Sequence, residues 1–348
     1  MNKDEQQLLR DTISEFLRRN ENSVISSEKE TFDKSLTSEL AQNGILGSRI
    51  PALMGGSQLP DDAYFVILNE LSKGSPSLAV KVMIINSLFL PLGKKANRVS
   101  ELFHDVASGK VNPTVSLESA MGGVVQTSYT QIKDGRLIAT LRNLINSDCQ
   151  VCVFPVGDNL AIAYGGINKQ SNEKALGLNA LAFSSLSIDT DNYEVLEGIG
   201  IKDLYSLLDG IDMEISAISL GIASAALSIA IEYAKQRKAF DHPLKDYEPI
   251  SARLARMKFE VEYLTKLAES GMIVDSGNKI ALKTRTLELA EEATNISIQV
   301  HGGYGYFEDF KVERYYRDIT TLEALFVSSK RDGRRVSTVL YGENSGYL

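Results

Sequence analysis

Apolar positions first recur every third or fourth residue, then every second, then every third or fourth again. Leu8, Leu9, Ile13 and Phe16–Leu17 mark one face of a first helix. Gly44, Gly47, Pro51 and Gly55-Gly56 interrupt the pattern. Helices are then predicted over Ala63–Ser72, over the apolar stretch Leu78–Leu92 as a fully buried helix, and over Glu101–Ser108, closed by Gly109. From Val115 to about Leu196 the period is two. Tyr129–Ile132 and Arg136–Ala139 flank Asp134-Gly135, a pair that tolerates the positive φ of a two-residue hairpin turn. Leu160–Tyr164 and Leu181–Ile188 predict further strands. From Asp203 the helical period returns. Ile250, Leu254, Met257, Val261 and Leu264 form a seam for another helix, and Ala281–Val300 predicts a helix ended by Gly302-Gly303. The pattern divides the chain into a helical part (1–114), a β part (115–200) and a second helical part (201–348).

A chain of 348 residues, 43% of them hydrophobic, can bury a large core in two or three domains. The net charge of -8 argues against a nucleic-acid surface. The opening MNKDEQQLLRDTISEFL carries charges where a signal peptide needs an apolar core, and no apolar run approaches the roughly 20 residues of a membrane span. The expectation is a soluble, cytoplasmic chain. Cys149 and Cys152 form a C-x-x-C, but CQVCVFPV followed by Gly157-Asp158-Asn159 predicts a strand and turn. Residues three apart on a strand face opposite ways, so the sulfurs are expected to diverge in the core. With only His104, His242 and His301, far apart in sequence, no metal site is expected.

The chemistry-bearing signal is Arg237-Lys238-Ala239-Phe240, followed some sixty residues on by QVHGGYGYFEDFKVERYYRD over Gln299–Asp318. Together they resemble the acyl-CoA dehydrogenase signature: R-x-x-F, then Q-x-x-G-G-x-G-[FY], then V-E-[RK]-x-x-R-D. Residues 40–56, LAQNGILGSRIPALMGG, resemble the family's Gly-Leu…Pro…Gly-Gly segment. The likeness covers nearly the whole chain. It implies a mainly α fold with an inserted β domain: an N-terminal helical domain, a β-barrel-like middle domain and a C-terminal four-helix bundle. It also implies FAD as cofactor, an acyl-CoA substrate, α,β-desaturation in fatty acid metabolism, an oligomer, and an electron-transfer flavoprotein as acceptor. Arg237, Phe240, Gln299, Gly302 and Gly303 then correspond to the contacts with the adenine and pyrophosphate half of FAD. A guanidinium forks two donors onto phosphate, Phe240 would share a helical face with Arg237, and glycines admit close backbone approach. Glu313, Arg314, Arg317 and Asp318, spaced three and four apart, predict an exposed pair network with a structural role.

The resemblance fails at the reacting centre. The family's catalytic glutamate, eight residues beyond the Arg-Asp pair, is here Phe326, which accepts no proton. Glu323 shares the face of Phe326 if that segment is helical. In branches that take the base from the helix before R-x-x-F, the matching position is Ile211, with Asp212 beside it and Glu214 a turn later. Glu214 is the preferred replacement. The family's T-E-P-x-x-G-S-D stretch aligns with Leu117–Val124, where only Glu118 survives. The strand W-[IV]-[ST]-N, whose tryptophan covers the flavin, aligns with Leu144-Ile145-Asn146-Ser147, and the chain has no tryptophan. Three readings follow: a base-less subunit that completes the FAD site of a catalytic partner, an autonomous homomeric dehydrogenase with a relocated base at Glu214 or Glu323, or a non-catalytic scaffold or CoA-thioester binder.

Overall fold

The computed structural model describes residues 1–117, 128–171 and 173–342. Helices fill both ends of the chain and strands the middle. The first part holds α1 (Lys3–Arg19), α2 (Glu21–Ser27), α3 (Lys34–Gln42), α4 (Asp61–Gly74), α5 (Pro76–Met83), α6 (Leu90–Gly93) and α7 (Val99–Ala107). Ile13 and Phe16 bury the inner face of α1, but Leu8 is 68% exposed. It lies roughly 140° around the helix from Ile13, off the stripe that reaches the core.

Residues 76–93 run as one helix, but Ile84–Phe89 widen into a π turn in which the Leu90 N–H reaches back to Ile85 O. Pro91 supplies a cause: it lacks the N–H that would meet Ser87 O, and its ring needs room at that carbonyl. Asn86 Nδ2 donates to Val82 O and Leu46 O at 2.8 and 2.9 Å, satisfying carbonyls at the widened turn.

The middle part is β1 (Pro113–Val115), β2 (Tyr129–Lys133), β3 (Arg136–Leu144), β4 (Val151–Val156), β5 (Asn159–Ala163), β6 (Ile167–Lys169), β7 (Ser184–Thr190) and β8 (Tyr193–Leu196). Among the described residues they form two four-stranded sheets, ordered β1-β4-β5-β8 and β2-β3-β7-β6, in which the β1–β4 pair is parallel and the others antiparallel. The predicted hairpin turn is present: Asp134 and Gly135 have φ of 50° and 74°. Alternate residues Leu137, Ala139 and Leu141 of β3 meet Cys152, Phe154 and Ala161 of the other sheet in a shared core. The cysteines depart from expectation. Cys149 precedes β4, so the strand rule does not separate the sulfurs; both thiols are buried and free. Burial, with the Cys149 thiol beside it, holds the Cys152 thiol well above its ordinary range.

The last part is α8 (Ile201–Asp209), α9 (Asp212–Gln236), a short hairpin of β9 (Lys238–Ala239) and β10 (His242–Pro243), then α10 (Glu248–Glu269), α11 (Ser276–His301), α12 (Val312–Phe326) and α13 (Ser329–Tyr341). The predicted seam holds over most of its length: Leu254, Met257, Val261 and Leu264 are buried along α10, and Ile250 at its start is half-buried. Central to this part, α9 packs against α4, α10, α11 and α12. Two helices, Pro76–Gly93 and Asp212–Gln236, are long and apolar enough to cross a membrane by length and composition, which corrects the expectation that no such run exists. Their apolar windows are 94% and 72% buried inside the fold, so core packing accounts for them.

Charges tie the α9 N-terminus to its surroundings. Lys283, itself buried, lies 3.0 Å from Asp212 and 2.8 Å from Asp332, while Arg335 pairs with Asp212 and Arg331 with Asp209. Gly221 permits the closest helix approach. A Cβ there would sit 1.9 Å from Ser72 Oγ and 2.3 Å from Asn69 O. Asn69 Nδ2 already donates to Ala217 O at 3.0 Å, so α4 cannot retreat freely. Gly221→Ala is therefore expected to destabilise the protein by about 2 kcal/mol or more, read as a lowered urea midpoint at unchanged slope. A wild-type midpoint would refute the packing argument.

Candidate active site

The π turn and the start of α9 bring four elements to one buried carboxylate. Glu214 is 8% exposed and its Oε1 accepts from Ser87 Oγ at 2.9 Å. Ser87 also lies 3.0 Å from the buried Tyr64 hydroxyl on α4. Arg49, from the loop after α3, reaches Glu214 Oε1 at 3.4 Å, pairs with Asp61, and stacks over the Tyr64 ring at 5.0 Å. Its backbone N–H is fixed by Asn86 Oδ1 at 2.9 Å. Two cavities, of about 400 and 390 Å3, meet at Arg49, Asp61, Gly210 and Glu214. Burial raises the Glu214 pKa, opposed by the Ser87 hydrogen bond and by Arg49. A carboxylate held this way can exchange a proton with a group in either cavity.

Arg49, Ser87, Tyr64, Asn86 and Asp61 escape the sequence reading because they converge from separate elements. A partial signal exists: Arg49 is the one charged residue in the segment 40–56. The other acids considered go elsewhere. Asp212 is spent in the ion cluster with Lys283 and Arg335. Ile211 is buried at 3% exposure. Glu323 lies on α12 as expected, but its carboxyl meets that of Glu291 on α11; partial burial and this neighbour raise the Glu291 pKa. Glu323 lines neither cavity at Glu214. Phe326 ends α12 at 2% exposure, packed into the main core.

The R-x-x-F motif lies at the other end of α9. Arg237 caps that helix with extended backbone, and the chain turns at once into the β9–β10 hairpin. Phe240 therefore does not share a helical face with Arg237, which corrects the expectation. It sits at φ 48° beside Asp241 at φ 66°, a strained turn for a bulky residue, and its side chain is 92% exposed. Gln299, Gly302 and Gly303 are exposed at the end of α11. A Cβ at Gly302 or Gly303 would meet nothing within 4 Å, so the backbone there is open to a ligand or a partner. Arg237 lies over the Tyr304 ring at 6.0 Å, which joins the two motif segments. The buried His301 stacks on Tyr233 at 4.1 Å and bonds Ser297 O through Nδ1, anchoring the turn from behind.

The flavin-ring end differs. Leu144, at the tryptophan position, is buried in the inter-sheet core. Asn146 is committed to Asn112 and Pro113 O at 2.9 and 2.8 Å. Leu117 is buried, and Glu118–Val124 lie outside the described residues. The described residues at these positions are thus committed to the protein's own core, whereas Arg237, Gln299, Gly302 and Gly303 are exposed and free to meet a phosphate-bearing cofactor.

The V-E-R-Y-Y-R-D charges are only partly the exposed network expected. Glu313 and Arg317 pair, but Arg314 is 7% exposed and donates to Gly74 O at 2.8 Å. Asp318 is fully buried, accepting the Leu178 N–H at 2.6 Å. The segment docks α12 onto the N-terminal and β parts, which an i,i+4 pattern alone does not reveal. Burial, with Glu28 nearby, pushes the Asp318 pKa up to about 7.

Comparison with known proteins agrees with this architecture. Residues 3–98 match the family model "Acyl-CoA dehydrogenase, N-terminal domain" and residues 200–326 match "Acyl-CoA dehydrogenase, C-terminal domain". A 3-(aryl)acrylate reductase from Clostridium sporogenes is 26% identical over 84% of this chain and 86% of its own. The caffeyl-CoA reductase-Etf complex subunit CarC from Acetobacterium woodii is 25% identical over 84% and 85%. A glutaryl-CoA dehydrogenase from Mycobacterium smegmatis, solved with FADH2, superposes at a TM-score of 0.85 with 18% identity, covering 99% of this chain and 96% of that one. The chain belongs to the acyl-CoA dehydrogenase family of FAD-dependent oxidoreductases.

The Asp318 shift has a testable sign. A carboxyl whose folded pKa lies above its unfolded value binds more protons in the folded state between the two. Its stabilisation is full below about pH 4 and is lost as pH rises through about 7. Asp318→Asn is expected to remove a fall in stability between pH 4 and 7 whose slope approaches about 1.4 kcal/mol per pH unit. Urea unfolding across that range would contradict this if wild type and variant ran parallel.

Proposed function

We propose that this chain is the base-less subunit of a heteromeric acyl-CoA dehydrogenase. In this reading Arg237, Phe240, Gln299, Gly302 and Gly303 meet the adenine and pyrophosphate end of an FAD whose ring and catalytic base lie in a related partner chain. One observation carries it: the motif residues are exposed, with Phe240 held on a strained turn and 92% open to solvent, while the base position is a core phenylalanine. Distance supports the division. Glu214 and Arg237 stand twenty-three residues apart along α9, about 35 Å. That exceeds the reach from the pyrophosphate to the ring of one FAD, so the two ends of α9 serve different sites.

The Arg237 guanidinium would hold the phosphates, backbone N–H groups at Gly302 and Gly303 would approach them, and Phe240 would exclude water. FAD supplies the hydride acceptor for α,β-desaturation of an acyl-CoA thioester. By likeness to the CarC subunit, an electron-transfer flavoprotein is the electron partner. Arg237→Ala in this chain is expected to cut the FAD retained by the complex purified from native cells at least tenfold, with the chain still folded. Full retention would refute the shared site.

A second reading rests on Glu214. Its burial, raised pKa and position between two cavities suit a relocated base in an autonomous dehydrogenase. Glu214→Gln would then lower turnover of the isolated chain by a factor of ~10²–10⁴. Under the first reading the isolated chain shows no turnover to lose.

A further inference from the structure

A separate cavity of about 680 Å3 opens between α3, the end of α5 and one edge of the β part; it shares no lining residue with the cavities at Glu214. Its floor is Lys81, 4% exposed. The ammonium donates to Asn112 Oδ1 at 2.9 Å and Asn146 Oδ1 at 3.3 Å, and lies over the Phe32 ring at 5.5 Å. It makes no ion pair among the described residues. The neighbouring acid is Asp148, which pairs with Lys169 at 2.9 Å and attracts Lys81 only at longer range. Nor do the amides need the lysine. Asn112 Nδ2 donates to Asn146 Oδ1 and Asn146 Nδ2 to Asn112 Oδ1, at 3.1 and 2.9 Å. A buried cation bonded only to neutral oxygens is costly, and burial lowers its pKa to about 8. The lining adds Lys34, Lys110, which is paired with Asp105, the Asp148 carboxylate paired with Lys169, and the hydroxyls of Thr31, Thr37 and Ser38.

We propose that this cavity binds a phosphate-bearing small molecule, with Lys81 as the central cation and Lys34, Lys110 and the rim hydroxyls as further donors. Lysine as a point charge beside hydroxyl donors suits a tetrahedral anion, and the volume admits a ligand larger than phosphate itself.

The test titrates the full chain with inorganic phosphate at constant ionic strength, with chloride as control, by calorimetry. Wild type is expected to bind phosphate with a Kd in the millimolar range or below, and Lys81→Met to weaken it at least tenfold. Coenzyme A, titrated likewise, separates a free phosphate from one carried by the substrate: coenzyme A binding that survives Lys81→Met belongs to another site. Without phosphate, Lys81→Met is expected to melt no lower than wild type, because Asn112 and Asn146 keep each other satisfied. Should that variant misfold, Lys34→Gln with Lys110→Gln, both on the rim, must weaken phosphate binding alone. No phosphate binding by wild type, or equal binding by the variants, would overturn the proposal.

Discussion

The structure depends on burying α9. A helix of 25 residues, apolar nearly all round, cannot face water along its length, so α4, α10, α11 and α12 enclose it. Close approach is possible because Gly221 leaves room for α4. Polar chemistry is then confined to the helix ends. At the N-terminus Asp212 enters the ion cluster and Glu214 faces the cavities; at the C-terminus Arg237 emerges at the surface. The two candidate functions of the chain therefore sit at opposite ends of one rod.

Much of the fold is legible in sequence because periodicity reports burial. The strands on either side of Asp134-Gly135, the buried face of α10 and the enclosed helix over residues 76–93 all follow from it. What periodicity misses is local geometry. The π turn depends on Pro91 within an otherwise continuous helix. Phe240 leaves the helical face of Arg237 because α9 ends at Gln236, before either residue of the pair. Leu8 is apolar yet off the buried stripe.

The site is legible in its motifs and opaque in its assembly. Motif residues are local in sequence, so R-x-x-F and Q-x-x-G-G can be found by eye. The Glu214 network is not local: Arg49, Tyr64 and Ser87 meet one carboxylate only after folding. Asp318 shows the converse error. Its i,i+4 setting suggests a solvated charge, but docking of α12 seals it from water and shifts its titration toward neutrality.

An enzyme that divides one cofactor between two chains asks each to keep only its own half. The division proposed for this chain rests on an exposed motif at Arg237, Phe240, Gln299, Gly302 and Gly303, a core phenylalanine at position 326 and a buried leucine at position 144. The most direct measurement is the flavin-to-protomer ratio of this chain purified alone, from its visible absorbance. The account predicts a ratio near zero; a ratio near one would contradict it and return the catalytic role to Glu214.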